Sequence, residues 1–272
     1  MLQSASGIVL SRRNVGEADA IGRVLFESGT AKDIRVHGIR KSRSRSNLLL
    51  EPGSLVRLTY YESEERPGVS AESLQFASLK EGHVIERFGA LKDSGYRGLL
   101  ILSYFLELAE FGSRAGEASE LYLLLKGTLE ELSRSTDAAG DRFQFTLLSI
   151  FFKTRVLKVL GLVGDARACS ECGRELGDLA LWNLPEVFFS CEQCAPEANS
   201  ADAHSARIIA AAAGLRFGRF AEYLAGWRTT ATDDATLPPW FYHTEERLLR
   251  SMEHYQGGPL RAAKQLREQM RL

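Results

Sequence analysis

No apolar stretch of about eighteen residues or more runs anywhere in this 272-residue chain, so no segment reads as a helix that spans a bilayer. The opening MLQSASGIVLSRR has too short an apolar run, and its charges in the wrong order, for a secretory signal. A cytoplasmic protein with no membrane partner is expected. Catalytic signatures are missing as well: there is no G-x-S-x-G, no H-E-x-x-H, no phosphate-loop lysine motif and no G-x-G-x-x-G behind a strand. Paired acids such as Glu130–Glu131 and Glu245–Glu246 fall on helical segments whose solvated faces explain them. The expectation is a protein that is not an enzyme. His204, His243 and His254 lack partners that would complete a metal site and read as packing or surface residues. Internal repeats are absent. Net charge is only −1, which argues against indiscriminate binding of polyanions by the whole molecule. With 44% hydrophobic and 25% charged residues, the composition is that of ordinary globular material, enough for two or three small domains.

Cysteine is scarce but concentrated. All four, Cys169, Cys172, Cys191 and Cys194, lie in CSECGRELGDLALWNLPEVFFSCEQC, spaced C-x2-C-x18-C-x2-C. That spacing suits a four-thiolate zinc site, because C-x-x-C is the shortest loop that aims two sulfurs at one centre. Gly173 follows the first pair, where such a knuckle often needs a left-handed residue. The apolar, β-rich LALWNLPEVFFS between the pairs predicts a hairpin with its turn at 183–185. The rival readings are a redox dithiol, two disulfides or an iron–sulfur cluster. A redox dithiol wants a single pair at a strand-to-helix junction, which this segment does not offer. One Zn2+ per chain is therefore expected. With every position filled by protein, its role is structural.

Positive charge is concentrated too. Residues 11–45 carry nine basic residues against four acidic ones, an excess of five positive charges. The same end reads as β: GIVLSRR, DAIGRVLFES, AKDIRVHGIRK, SLVRLTYYE and, less clearly, VSAESLQFASLKE. In the third of these, Ile34 and Val36 share one face and Asp33, Arg35 and His37 the other. Five short strands in about 80 residues fit the oligonucleotide-binding (OB) barrel, with an SH3-like or otherwise unrelated β domain as the plain alternative. Between the third and fourth strands, HGIRKSRSRSNLL sets Arg40, Lys41, Arg43 and Arg45 within six residues, interrupted by serines. Such cations repel one another until an anion approaches, and arginine forks match phosphate oxygens. Candidate DNA contacts are Arg12, Arg13, Lys32, Arg35, Arg40, Lys41, Arg43 and Arg45. A solvated loop without a ligand is the plain alternative.

From residue 94 the apolar period becomes helical. SGYRGLLILSYFLELAEF opens at a serine cap, and EASELYLLLKGTLEELSRS and GDRFQFTLLSIFFKTRVLKVLGL follow. Beyond the cysteines, ADAHSARIIAAAAGLRFGRFAEYLAGW and PPWFYHTEERLLRSMEHY continue the helical pattern. Their stripes are core first. Lys153, Arg155 and Lys158, late in the third helix, are either a solvated, dipole-favoured helix end or a receptor for an acidic partner.

The expected fold is α+β and multidomain, with an OB-fold barrel at 1–80 and a helical domain at 81–272 that carries a zinc-finger hairpin insertion at about 165–200. In GIVLSRRNVGEADAIGRVLFESGT, then HGIRKSRSRSNLLLEPGSLVRLTYYE, then FQFTLLSIFFKTRVLKVLGLVGDARACSECG, the chain resembles the bacterial recombination mediator RecO family. The likeness covers most of residues 1–200 and rests on the order of these parts. Where the family often shows G-x-R-x-x-K-S, this chain has GIRKSRSRS, with the cations shifted. The resemblance implies a non-enzymatic, cytoplasmic, nucleoid-associated protein for DNA repair and recombination after DNA damage. It implies binding of single- and double-stranded DNA by the barrel and annealing of strands. It further implies work with RecR to load the RecA recombinase onto strands coated by single-strand-binding protein, whose acidic tail meets the helical region. Phe151, Lys153, Arg155 and Lys158 are the candidate residues for that tail. The alternatives are a zinc-stabilised protein-binding adaptor that makes no direct DNA contact, and a thiol redox enzyme.

Overall fold

One long strand organises the first part of the chain. Strand β1 (Leu2–Val15) pairs antiparallel with β4 (Ser54–Tyr61) over residues 2–8 and with β2 (Asp19–Phe26) over residues 7–15. Gly7 sits where the two pairings overlap. A Cβ there would lie 2.6 Å from Val24 Cγ1 and 2.8 Å from the Leu25 carbonyl oxygen, so only glycine lets the strands close up. Strand β2 continues the sheet to β3 (Ala31–Val36), and β5 (Ala77–Arg87) joins β3 in parallel and β4 antiparallel, closing the barrel in the order β1-β2-β3-β5-β4. Val9, Val24, Ile34, Val36, Val56 and Leu58 fill it, all fully buried. The alternation in AKDIRVHGIRK thus holds. The fifth strand, Ala77–Arg87, runs beyond the end of the expected VSAESLQFASLKE, whose residues 69–75 lie outside those described.

The computed structural model describes residues 1–39, 41, 47–62, 76–88, 91, 95–116, 118–134, 142–228 and 238–270. Its packing divides the chain into two units, Met1–Ala139 with Ala262–Leu272, and Gly140–Arg261. The fold is α+β, with a five-stranded OB-like barrel, helical regions and a small hairpin that carries the cysteines.

In the first unit, helices α1 (Tyr96–Gly112) and α2 (Ser119–Arg134) cover the β1 side of the barrel. The expected serine cap falls on Ser94, outside the described residues. The N-cap is Gly95, whose φ of 84° a side chain resists and which makes no side-chain cap.

The second unit is built around α3 (Arg142–Val159), against which α4 (Ser200–Gly214), α5 (Phe217–Arg228) and α6 (Pro239–Gln256) pack. The single helical segment expected from residue 201 onward is two helices. The chain leaves α4 at Leu215, whose ψ of 158° is extended, and re-enters a helix at Phe217. A last helix, α7 (Arg261–Met270), returns to the first unit, where the Ala262 amide donates to Glu107 Oε2 at 2.8 Å.

A glycine in the β2–β3 turn supplies a test of the first unit. A Cβ on Gly29 (φ +87°) would lie 2.0 Å from the Ala118 carbonyl carbon at the foot of α2, whereas one on Gly16 (φ +56°) would meet nothing within 4 Å. Both substitutions strain the backbone, but only the first also pushes two elements apart. Urea unfolding of Gly29→Ala should show a loss of about 2–4 kcal/mol, against about 1 kcal/mol for Gly16→Ala. Equal losses would mean that the turn does not seat on α2.

Candidate metal centre and nucleic-acid interface

The hairpin β6 (Ala180–Asn183) and β7 (Phe188–Cys191) brings the two cysteine pairs together. Each pair closes in a tight loop. The Gly173 amide donates to the Cys169 carbonyl at 2.9 Å with Gly173 at φ 73°, and the Cys194 amide donates to the Cys191 carbonyl at 3.0 Å. All four Sγ atoms lie within 4.8 Å of one another, with Cys172 and Cys191 3.8 Å apart. Metal–sulfur bonds of about 2.3 Å in a tetrahedron would set the sulfurs about 3.8 Å apart, so the cluster can hold a metal ion.

The thiols are electrostatically unequal. Burial pushes the Cys169 thiol up, but the backbone N–H groups of Cys191, Cys172 and Glu171 aimed at it win and bring its pKa down to about 6. The amide of Cys194, against burial, likewise lowers Cys191. Cys194 is pushed up to about 12 by its hydrogen bond to Cys172, with burial and the remaining sulfurs adding to it. Four thiolates this close repel one another, and a bound cation removes that penalty.

The hairpin is anchored by a buried carboxylate. Asp202, 3% exposed, accepts the Trp182 amide at 2.8 Å and pairs with Arg247 of α6. Its own amide donates to Asn199 Oδ1 at 2.9 Å, which caps α4. The Arg247 guanidinium also lies 5.6 Å from the Trp182 ring centroid, so hairpin, α4 and α6 meet at one point.

On the barrel, the candidate DNA contacts do not form one row. Arg13 and Arg35 flank Ile21 across three strands, while Arg12 and Lys32 fall on the alternate side, as the two-residue period of a strand requires. Carboxylates accompany most of them. Arg35 reaches Asp19 at 2.9 Å, Lys41 reaches Glu17 at 2.9 Å, Lys32 pairs with Glu62, and Arg13 lies 3.9 Å from Asp33 and over the Phe76 ring. The Gly38 backbone amide, then Arg35, then His37 hold the Asp19 carboxyl down at about 2. Arg40, Arg43 and Arg45 lie outside the described residues. Arg57 of β4, absent from the candidates, is exposed and has no carboxylate or hydrogen-bond partner among the described residues. Its signal was a single charge in the otherwise uncharged strand SLVRLTYY.

The candidate partner surface needs correcting. Lys153 is fully buried, and its ammonium pairs with the Glu245 carboxylate, which also accepts the Ser149 hydroxyl at 2.8 Å. It is neither a solvated helix end nor presented to a peptide. Phe151, 7% exposed, packs edge-on against Phe217 with centroids 5.3 Å apart. Arg155 donates to the carbonyls of Ala212 at 2.8 Å and Leu215 at 2.6 Å, and Lys158 to that of Ala213 at 3.0 Å. These two cations cap the C-terminus of α4, where the helix dipole is negative. Beside the cap, Leu215 is 36% exposed and Arg216 is exposed without a carboxylate partner among the described residues.

Comparison with known proteins agrees with this architecture. Residues 1–79 match the family model "Recombination protein O N terminal", and residues 94–230 match "Recombination protein O C terminal". The chain is 31% identical over 193 residues to a DNA repair protein RecO of Leptospira biflexa, covering 70% of this chain and 71% of that one. It is 30% identical over 207 residues to its namesake from Frankia casuarinae, covering 75% and 78%. With that of Anaeromyxobacter sp. (strain K) it shares 28% over 265 residues, 97% and 95% of the two chains.

The cysteine geometry makes a prediction about metal content. Protein prepared without chelator should carry about one divalent ion per chain, and Cys191→Ser should lose it along with stability, since binding to such a site contributes to folding. Affinity should fall with acidification, because protons compete for the sulfurs and Cys194 holds its proton most tightly. Metal analysis across pH 5–8 checks both; a folded, reduced protein without metal would remove the site.

Proposed function

The chain belongs to the recombination protein O family of DNA repair proteins, and from that premise we propose that it is a recombination mediator that handles DNA without catalysing a reaction. The observation that carries this reading is the closed barrel, whose outer face sets Arg13 and Arg35 in one cross-strand row, with the basic stretch 40–45 following β3 in the sequence. Exposed ion pairs such as Lys41–Glu17 contribute about 0–1 kcal/mol each, so a phosphate can replace a carboxylate at little cost. Release of counterions from DNA then favours the exchange. Phosphate contacts do not read bases, which suits a mediator that must act on any strand. Neutralising two complementary backbones side by side would speed annealing of single strands into a duplex. In this reading residues 1–80 bind single- and double-stranded DNA, and residues 81–272, with the insertion at about 165–200, meet protein partners.

The partners in this reading are RecR and the acidic tail of single-strand-binding protein, and the outcome is RecA loaded onto coated strands. The tail's carboxylates and apolar end would meet the corner formed by Arg155, Lys158, Arg216 and Leu215, with Phe151 behind it. The ion held by the four cysteines is Zn2+, one per chain, with a structural role: a four-sulfur tetrahedral set suits it and leaves no open coordination position. The protein would act in the cytoplasm beside the nucleoid, and among the described residues no helix is long and apolar enough to cross a membrane.

A titration of single-stranded DNA against salt tests the DNA reading. Affinity should fall with a slope of about 0.7 per phosphate contact, and replacing Arg40, Lys41, Arg43 and Arg45 together should flatten it by roughly two to three contacts. Base composition at fixed length should matter little. No measurable binding at low salt would favour a protein-binding adaptor instead.

The tail site calls for a different variant, since reversing Arg155 or Lys158 would uncap α4 as well. Arg216→Glu should weaken an acidic peptide with an apolar end by about tenfold, with unfolding and naked-DNA binding unchanged. Undiminished peptide affinity would place the tail elsewhere.

A further inference from the structure

The route of β1 leaves an opening in the barrel wall. Residues 3–6 pair with β4 on one side, and on the other they face the β2–β3 turn, linked to it by the Glu27 amide donating to the Ser6 carbonyl at 3.1 Å. A pocket of about 400 Å³ occupies this corner, bordered by the first half of β1, the turn at 27–30, the start of β3 and the outer edge of β4. That is the size of a small-ligand site.

Its walls are rich in hydroxyl groups. Ser4 and Ser6 come from β1, and Ser28 and Thr30 from the turn, where the Ser28 hydroxyl donates to Thr30 Oγ1 at 3.2 Å. Arg57 lies directly across the ladder from Ser6 and is the lining cation without a carboxylate partner. Lys32 also lines the pocket, but its ammonium is matched by Glu62 and rests 5.9 Å from the Tyr60 ring centroid. The acid in the lining, Glu27, keeps its negative charge, and with Lys32 and Arg57 beside it the lining carries one net positive charge. One unmatched guanidinium among hydroxyl donors is an arrangement for an anion with several oxygens. Phe26 and Tyr60, with rings 5.2 Å apart, are too deeply buried to stack on a base, so recognition falls to the anionic group.

We propose that this pocket binds the phosphate group of a nucleotide, with Arg57 supplying the charge and the Ser4, Ser6 and Thr30 hydroxyls the further donors. The site is separate from the Arg13–Arg35 row. The choice of a nucleotide as the phosphate's carrier rests on reading the barrel as a DNA-binding domain. The geometry of the anion site does not. A strand carrying a terminal phosphate and a free nucleotide present the same group, and the two are separated below.

The full-length protein is titrated calorimetrically with thymidine 5′-monophosphate, and with oligothymidylates that carry either a 5′-phosphate or a 5′-hydroxyl. The wild type should bind the mononucleotide, and Arg57→Gln should weaken it at least tenfold without moving the unfolding midpoint. Arg57→Lys, which keeps the charge and loses the fork, should fall between. If the phosphate belongs to a strand end, the 5′-phosphorylated oligonucleotide binds several-fold tighter than its hydroxyl counterpart, and Arg57→Gln erases the difference. If it is that of a free nucleotide, the two oligonucleotides bind alike while the mononucleotide still depends on Arg57. Absence of mononucleotide binding, or binding indifferent to Arg57→Gln, overturns the proposal. When either result accompanies salt-dependent oligonucleotide binding, the barrel remains a DNA-binding domain and only the pocket is lost. When no oligonucleotide binds but the mononucleotide does so through Arg57, the DNA reading fails and the pocket stands.

Discussion

A charge removed from water has to be matched inside the protein, and that constraint decides how the second unit is assembled. Lys153 is fully buried in the middle of α3, and Glu245 of α6 supplies the matching carboxylate. Removing one member of such a pair costs about 3–5 kcal/mol, because the other is left uncompensated. Helix α6 therefore cannot slide or rotate along α3 without stranding an ammonium. Asp202 acts likewise for the hairpin, since its buried carboxylate is satisfied by an amide of β6 and the guanidinium of Arg247 together. Apolar packing, such as that of Phe143 on Phe241 and of Phe151 on Phe220, draws the helices together, but it is tolerant of register. The ion pairs are not.

Four sulfurs within 4.8 Å pose the same problem with like charges. Backbone amides stabilise one or two thiolates, and Cys194, held near 12, shows that no donors remain for the last. A cation would complete the balance and lock both knuckles to the hairpin. Because Asp202 joins that hairpin to α4 and α6, metal binding and helix packing would then stabilise each other. The barrel follows the opposite logic. Its pairs are partly or largely exposed, and the more exposed ones, such as Lys41–Glu17, contribute little. Buried pairs here define architecture, and exposed ones leave room for a ligand.

Much of this was legible in the sequence where a short-range rule applied. The C-x2-C pairs, the left-handed Gly173 and the alternation of Ile34 and Val36 each depend on a few neighbouring residues, and all three are found. Errors arose where a distant partner intervened. Lys153, Arg155 and Lys158 form one cationic stretch in sequence, yet one is buried against α6 and two cap α4. ADAHSARIIAAAAGLRFGRFAEYLAGW has helical propensity throughout, but the carbonyls around Ala212–Leu215 are taken by Arg155 and Lys158, and the chain turns there. Arg57 was passed over because a lone cation in an apolar strand has no local pattern to mark it.

Composition, periodicity and cysteine spacing by themselves determined that this is an α+β protein with a basic β domain, a helical remainder and a thiol cluster. Those properties follow from residues close in the chain, whose side-chain chemistry and backbone preferences act before any long-range contact forms. The tertiary structure alone decided which charges are available. Carboxylates from elsewhere in the chain neutralise Lys32, Arg35, Lys41 and the buried Lys153, while Arg57 and Arg216 have none among the described residues. The reason is that Coulomb interactions depend on separation in space and on exclusion of water, and neither is written in the order of residues.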